Sequence, residues 1–151
     1  MSKPPANRER LLGANIINLS ICYQHLSAKI NRALEPVHLN MTQMSILNYL
    51  ARLPEGHPET VTHISQVMDM NQPVVTKSIK AMHQQGLIDK KAGIEDSRVS
   101  HLYLNAFGKK RLVEAQQACV PLLEHAYEGL NMKELEQLVS LLSKVKSSLT
   151  E

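Results

Sequence analysis

The stretch Val61-Thr62-His63-Ile64-Ser65-Gln66-Val67-Met68-Asp69-Met70-Asn71-Gln72-Pro73-Val74-Val75-Thr76-Lys77-Ser78-Ile79-Lys80-Ala81-Met82-His83-Gln84-Gln85-Gly86 decides the fold, because it reads in order as short helix, tight corner and second helix. The second helix is delimited by its ends. Asn71 is a favourable N-cap, Pro73 suits a first helical turn where the missing N–H has no partner to lose, and Gly86 closes the segment. Val75, Ile79 and Met82 recur at helical spacing and pack inward. Gln72, Val74, Thr76, Lys77 and Lys80 are left on the outer faces, with side-chain types that can read base edges and hold phosphates. The first helix starts near Thr60 or Thr62, buries Ile64, Val67 and Met68, and stops at Asp69-Met70-Asn71. Such a corner puts one residue into left-handed backbone, which Asp69 tolerates better than most side-chain-bearing residues.

After Gly86 the periodicity changes. Leu87-Ile88 is followed by Asp89-Lys90-Lys91, a turn-rich Ala92-Gly93-Ile94-Glu95-Asp96, and a returning segment from Arg98 to Leu104. The pattern predicts a two-stranded hairpin, or wing, with Leu102 and Leu104 on one face. A cationic tip of this kind can enter a minor groove, where narrow A·T-rich stretches concentrate negative potential. Arg98 is the residue placed for it.

These residues resemble the MarR-type winged-helix transcriptional regulators. The resemblance runs from Leu39-Asn40-Met41-Thr42-Gln43 to Leu50, resumes near Val61, and passes through Gly86-Leu87-Ile88, Asp96-Ser97-Arg98 and Leu104-Asn105-Ala106-Phe107-Gly108. Its most specific part is Asp-x-Arg followed by Leu-Thr-x-x-Gly, with Asn105 in place of Thr. Asn can also cap the helix that follows. The resemblance implies a mainly α fold with a small β wing, a winged helix-turn-helix flanked by N- and C-terminal dimerisation helices. It divides a single domain, 1–151, into dimerisation helices at 8–38 and 105–150 and a DNA-binding lobe at 41–104. Within the lobe the helix-turn-helix spans about 60–86 and the wing about 87–104. It further implies that the helix from Asn71 enters the major groove of double-stranded DNA, that Arg98 probes the minor groove, and that Asp96 holds the arginine. Lys77 falls where the family often has Arg, which keeps a phosphate contact and loses the bidentate fork that reads guanine. The DNA-contacting set on this reading is Gln72, Val74, Thr76, Lys77, Lys80, Lys90, Lys91, Ser97 and Arg98.

Composition agrees. The chain of 151 residues is 43% hydrophobic and has no tryptophan and 3% aromatics, so its core is aliphatic and rich in methionine, which suits packed helices. A net charge of +3 is too small to argue for nucleic acid. Placement counts for more, since Lys77, Lys80, Lys90, Lys91 and Arg98 cluster in the second helix and the wing. Lys109 to Arg111 read as a solvated face. No run approaches the ~18 apolar residues of a membrane span, and Ser2-Lys3-Pro4-Pro5 lacks a signal-peptide core. The expectation is a cytoplasmic protein with no membrane contact. Two cysteines far apart fit a reducing compartment. Leu53-Pro54-Glu55-Gly56-His57-Pro58 reads as a loop.

The ends of the chain supply a partner. Leu12, Ile16, Leu19, Tyr23, Leu26, Ile30 and Leu34 recur at three- and four-residue spacing for about six turns. At the other end Asn131 and Glu134 form a capping box, followed by Leu135, Leu138, Val139, Leu142, Val145 and Leu149. A helix from about Asn105 to Leu130, carrying Leu112, Ala115, Cys119, Leu122 and Ala126, lies between them and should bend at Pro121. A winged helix of this size cannot cover three such stripes alone. A twofold homodimer joined through Leu12, Ile16, Leu19, Leu135, Leu138, Leu142 and Val145 is therefore expected. Symmetry then predicts a pseudo-palindromic operator read in successive major grooves about 34 Å apart.

The resemblance also implies a small-molecule signal, often an aromatic acid, bound between the dimerisation helices and the lobe; Tyr23, His25 and Arg32 are polar candidates there. Repression is the family's commoner outcome. Some members sense hydroperoxides through a first-helix cysteine, and Cys22 sits roughly one turn closer to the second helix than that sensor. A buried Cys is usually a small core residue, and redox sensing is the alternative for Cys22. The histidines His25, His38, His57, His63, His83, His101 and His125 include no i, i+4 pair, so no metal or other cofactor is expected. Phosphate-binding glycine loops, nucleophile elbows and H-E-x-x-H are missing, which argues against an enzyme. A winged helix that contacts protein through its wing is the remaining alternative.

Overall fold

The computed structural model describes residues 6–93 and 95–151, so the readings of Ser2–Pro5 and of Ile94 lie outside the described residues. Six α-helices and one antiparallel hairpin follow in the order α1 (Ala6–Leu34), α2 (Met41–Ala51), α3 (Val61–Val67), α4 (Gln72–Gln84), β1 (Ile88–Ala92), β2 (Ser100–Leu104), α5 (Ala106–Tyr127) and α6 (Met132–Leu149). The fold is mainly α with a β wing, as expected. Two compact units divide between Cys119 and Val120. Pro121 lies just past that division, inside α5, which stays helical to Tyr127 and ends three residues before the expected Leu130.

Three chain reversals in the first unit share one device. After α4, Gly86 adopts φ +77, its N–H bonds the His83 carbonyl at 3.0 Å, and the Leu87 N–H bonds Met82 at 3.0 Å. This is a Schellman ending, and Leu87 and Met82 are both buried. The corner after α3 repeats it with Asp69 at φ 50, where Met70 N–H reaches Ser65 O at 2.9 Å. The left-handed Asp69 expected from sequence is therefore present. A third copy follows a 3₁₀ turn at Glu35–Val37, with His38 at φ 58.

Helix starts are mostly capped by side chains. The Gln43 N–H donates to Asn40 Oδ1 at 2.8 Å while Asn40 N–H donates to Gln43 Oε1 at 3.1 Å, and Asn131 with Glu134 makes the same box at α6. Thr60 caps α3 through the His63 N–H. Asn71 is the N-cap residue of α4 by backbone geometry, but its side chain makes no capping bond. The fixed φ of Pro73 carries that start instead.

The core of the first unit is aliphatic. Val75, Ile79 and Met82 from α4 meet Ile46 and Leu47 of α2, Ile64 of α3 and Leu102 of β2 in the buried set, closed by Leu34, Leu112 and Ala115. One expectation fails here: Val67 is 52% exposed and Met68 only half-buried. The Schellman corner ends α3 at Val67, so the last residues leave the helical stripe that points Ile64 inward. The hairpin register pairs Ile88 with Leu104 and Ala92 with Ser100. Leu102 is buried and Leu104 half-buried, and β2 extends the sheet by a bridge to Glu59.

Each unit carries an exposed terminal apolar stripe. Ile16 is 66% exposed, and Leu12, Leu19 and Tyr23 are exposed with it; only the C-terminal end of α1 is anchored, by the buried Leu34 and by Asn31 Oδ1, which accepts the Met41 N–H at 2.8 Å. In the second unit Val139 is 68% exposed, Leu142, Val145 and Leu149 are exposed, and Leu135 and Leu138 half-buried. Ala126 is exposed, contrary to its place in the expected stripe.

Candidate nucleic-acid interface

The outer face of α4 is built as its amphipathic pattern dictates. Gln72, Val74, Thr76, Lys77 and Lys80 are all exposed, whereas Val75, Ser78 and Ile79 point into the core. Gln72, Pro73, Thr76, Lys77 and Lys80 line one open groove. Gln72 Nε2 lies 3.4 Å from Thr62 Oγ1 across the corner, a long contact that links the first turns of α3 and α4.

The wing tip presents one arginine on a carboxylate. Asp96 Oδ1 accepts from the Arg98 backbone N–H at 3.0 Å and from Nε at 3.1 Å, and Oδ2 lies 3.4 Å from Nη2. The Arg98 side chain is nevertheless 89% exposed. These hydrogen bonds, from the Arg98 side chain first and its backbone second, hold the Asp96 carboxyl below its ordinary range. A fixed carboxylate thus orients a guanidinium that keeps donors for another partner. Ser97, Lys90 and Lys91 are exposed nearby in sequence, and Lys91 Nζ stands 5.3 Å from the centroid of the Tyr103 ring. That cation–π contact holds Lys91 along the strand surface.

Just ahead of α3 lies a buried carboxylate that the sequence reading missed. Glu59 is 2% exposed. Its Oε2 accepts from the Tyr49 hydroxyl at 2.7 Å, and Oε1 accepts from Thr60 N–H at 2.9 Å and faces His63 Nδ1 at 2.6 Å. Its backbone exchanges two hydrogen bonds with Leu102. One residue therefore joins α2 and α3 through its side chain and the wing through its backbone. Burial pushes the Glu59 carboxyl up, and the hydrogen bonds from Tyr49, Thr60 and His63 outweigh it, leaving the group below its ordinary value. Tyr49 is pushed up to about 12 by its own burial and by the Glu59 charge it donates to.

Arg111 corrects the solvated-face reading of Lys109 to Arg111. Its Nη1 donates to the Val37 carbonyl at 2.8 Å and to Gln85 Oε1 at 2.9 Å, and Nε lies 3.6 Å from Glu114. It clamps the end of α4 to the turn after α1. Lys109 and Lys110 remain exposed. Cys22 is exposed, against the buried-core reading, while Cys119 is buried and its thiol pushed up by that burial. Among the described residues no cluster of His, Cys, Asp and Glu could hold a metal ion, and no helix is long and apolar enough to cross a membrane.

A corner-linked helix pair, an exposed polar and cationic second helix and an arginine-tipped hairpin define a winged helix-turn-helix. Residues 39–99 match the model of the MarR family. The similarity in fold extends over almost the whole chain. The transcriptional regulator BldR from Sulfolobus solfataricus superposes with a TM-score of 0.77 at 19% identity, covering 95% of this chain and 99% of that one. A mutant of MarR from E. coli complexed with operator DNA gives 0.73 at 18% identity, covering 93% and 98%. MepR of S. aureus in complex with DNA gives 0.70 at 21% identity, covering 87% and 93%.

Proposed function

We propose that this chain is a sequence-specific double-stranded DNA-binding transcriptional regulator that works as a twofold homodimer on a pseudo-palindromic operator. The observation that carries the reading is the exposed Arg98 held on Asp96 beside a helix whose outer face offers Gln72, Val74, Thr76, Lys77 and Lys80. MarR and MepR relatives of the same fold are known in complex with DNA. Gln72 and Thr76 suit base-edge hydrogen bonds, Val74 suits a thymine methyl, and Lys77, Lys80, Lys90 and Lys91 suit phosphates, with Ser97 beside Arg98 at the tip. Dimerisation is supported by the apolar stripes exposed on α1, at Leu12, Ile16 and Leu19, and exposed or half-buried on α6, at Leu142 and Val145 and at Leu135 and Leu138. Burial of such stripes is what stabilises long helices of this kind. The regulator represses, and a small aromatic ligand releases it by binding the DNA-incompetent spacing of the two α4 helices more tightly than the competent one.

Anisotropy titration of a duplex selected from a random library tests this. Each phosphate neutralised lowers the slope of log affinity against log salt by about 0.9. Arg98→Ala should weaken binding at least about tenfold and flatten the slope, with the dimer intact. Leu138→Asp with Leu142→Asp should give a monomer that loses the operator. Full-strength specific binding by either variant contradicts the reading.

A further inference from the structure

The sequence departs from the family's Leu-Thr-x-x-Gly pattern at Asn105, and the structure gives the substituted side chain three partners. Oδ1 accepts the Gly108 N–H at 2.9 Å, which caps α5. Nδ2 donates to the Gly86 carbonyl at 2.8 Å, immediately beyond α4, and to Asp89 Oδ1 at 3.1 Å, in the first half of β1. The Asn105 N–H itself lies 3.3 Å from the Leu87 carbonyl. A single carboxamide therefore spans the end of α4, the root of the wing and the start of α5. The glycine of the motif follows from the same closeness, since a Cβ at Gly108 would run into the Leu104 side chain and the Leu87 carbonyl.

We propose that Asn105 is the positioning residue that sets the wing against α4, so that Arg98 and the outer face of α4 engage one duplex together. The inference rests on the DNA-binding reading above. A two-stranded ribbon is marginal alone and takes its direction from its root. Five residues of strand at about 3.4 Å each put the tip roughly 17 Å from that root, so a tilt of about 10° there displaces it by about 3 Å. That displacement equals the length of a hydrogen bond, enough to forfeit a groove contact. Threonine cannot replace Asn105 fully. Its hydroxyl can cap α5 but has one proton to give, where Nδ2 gives two. Aspartate caps as well as asparagine but has no donor, and it would set a second carboxylate against Asp89.

The experiment is a double-mutant cycle between Asn105 and Arg98 on the full chain, read by affinity for a duplex selected with the wild-type protein. Asn105→Thr should retain a near-wild-type Tm because the cap survives. Arg98→Ala, which costs at least about tenfold in the wild-type protein, should cost about twofold or less beside Asn105→Thr. A residue that only stabilised the fold would lower the Tm and leave the Arg98 factor unchanged, so an equal factor in both backgrounds overturns the proposal. Should Asn105→Thr fail to fold, Asp89→Ala removes one tie, leaves the cap, and must likewise reduce the Arg98 factor. Absence of any Arg98→Ala effect in the wild-type background would remove the DNA-binding role of the wing, and this inference with it, and is distinguished from additivity by that first measurement alone.

Discussion

Glu59→Gln isolates the charge of the buried carboxylate at the start of α3 while preserving its shape. In the wild type three donors converge on it, Tyr49, the Thr60 N–H and His63. The glutamine carbonyl can still accept from Thr60 and His63, and its amide can turn toward the Tyr49 oxygen, so what is lost is mainly charge assistance. A hydrogen bond to a charged group contributes about 1.5–3 kcal/mol and a neutral one about 0.5–1.5, so three bonds lose roughly 3 kcal/mol. Relief of the desolvation of a buried charge offsets part of this, leaving an expected loss of about 2 kcal/mol at neutral pH. The folded carboxyl lies below its ordinary value of 4.5, so its contribution is complete above that pH and disappears as the pH falls through the folded pKa. Urea unfolding at one fixed protomer concentration should show wild type and Glu59→Gln separated at neutral pH and converging as the pH steps down from 4.5 through the lower folded value. A gap that keeps its size in acid, or no gap at neutral pH, refutes the role given to the carboxylate. Tyr49→Phe supplies the alkaline counterpart: the hydroxyl's contribution is complete below pH 10 and should be lost as the pH rises toward about 12.

Asp69→Gly should leave stability unchanged or raise it by up to about 1 kcal/mol in the same unfolding assay, because relief of left-handed strain exceeds the added chain entropy; a clear loss would mean the Asp69 side chain holds the corner in another way. Gly108→Ala should cost about 1–3 kcal/mol, as a methyl there forces apart the first turn of α5, the Leu104 side chain and the Leu87 carbonyl; an unchanged Tm would show that the close approach is dispensable. Arg111→Met keeps the aliphatic stem and removes the bonds to Val37 and Gln85, and should lower stability by about 1–3 kcal/mol; a variant equal to wild type would return Arg111 to the solvated face.

Much of the lobe was legible in the residues. Asn131 with Glu134, Gly86 and Asp69 mark element ends because each acts on backbone groups within a few residues of itself, and those local rules do not need the rest of the chain. The inward set Val75, Ile79 and Met82 was legible for a related reason, since helical geometry alone puts them on one face. Val67 obeyed the same spacing and was misread because the corner ended the helix beneath it. Asn40 with Gln43 was a capping box available to the same reasoning and passed over.

What the tertiary structure alone decided is which distant groups meet. Arg111 reaches Val37 across 74 positions and Asn105 reaches Gly86 across 19, while Glu59 gathers Tyr49 and His63 from two different helices. No periodicity encodes such pairs. They arise when hydrophobic burial has already brought the elements together, and only then does the cost of leaving a buried charge or donor unpaired select the partner.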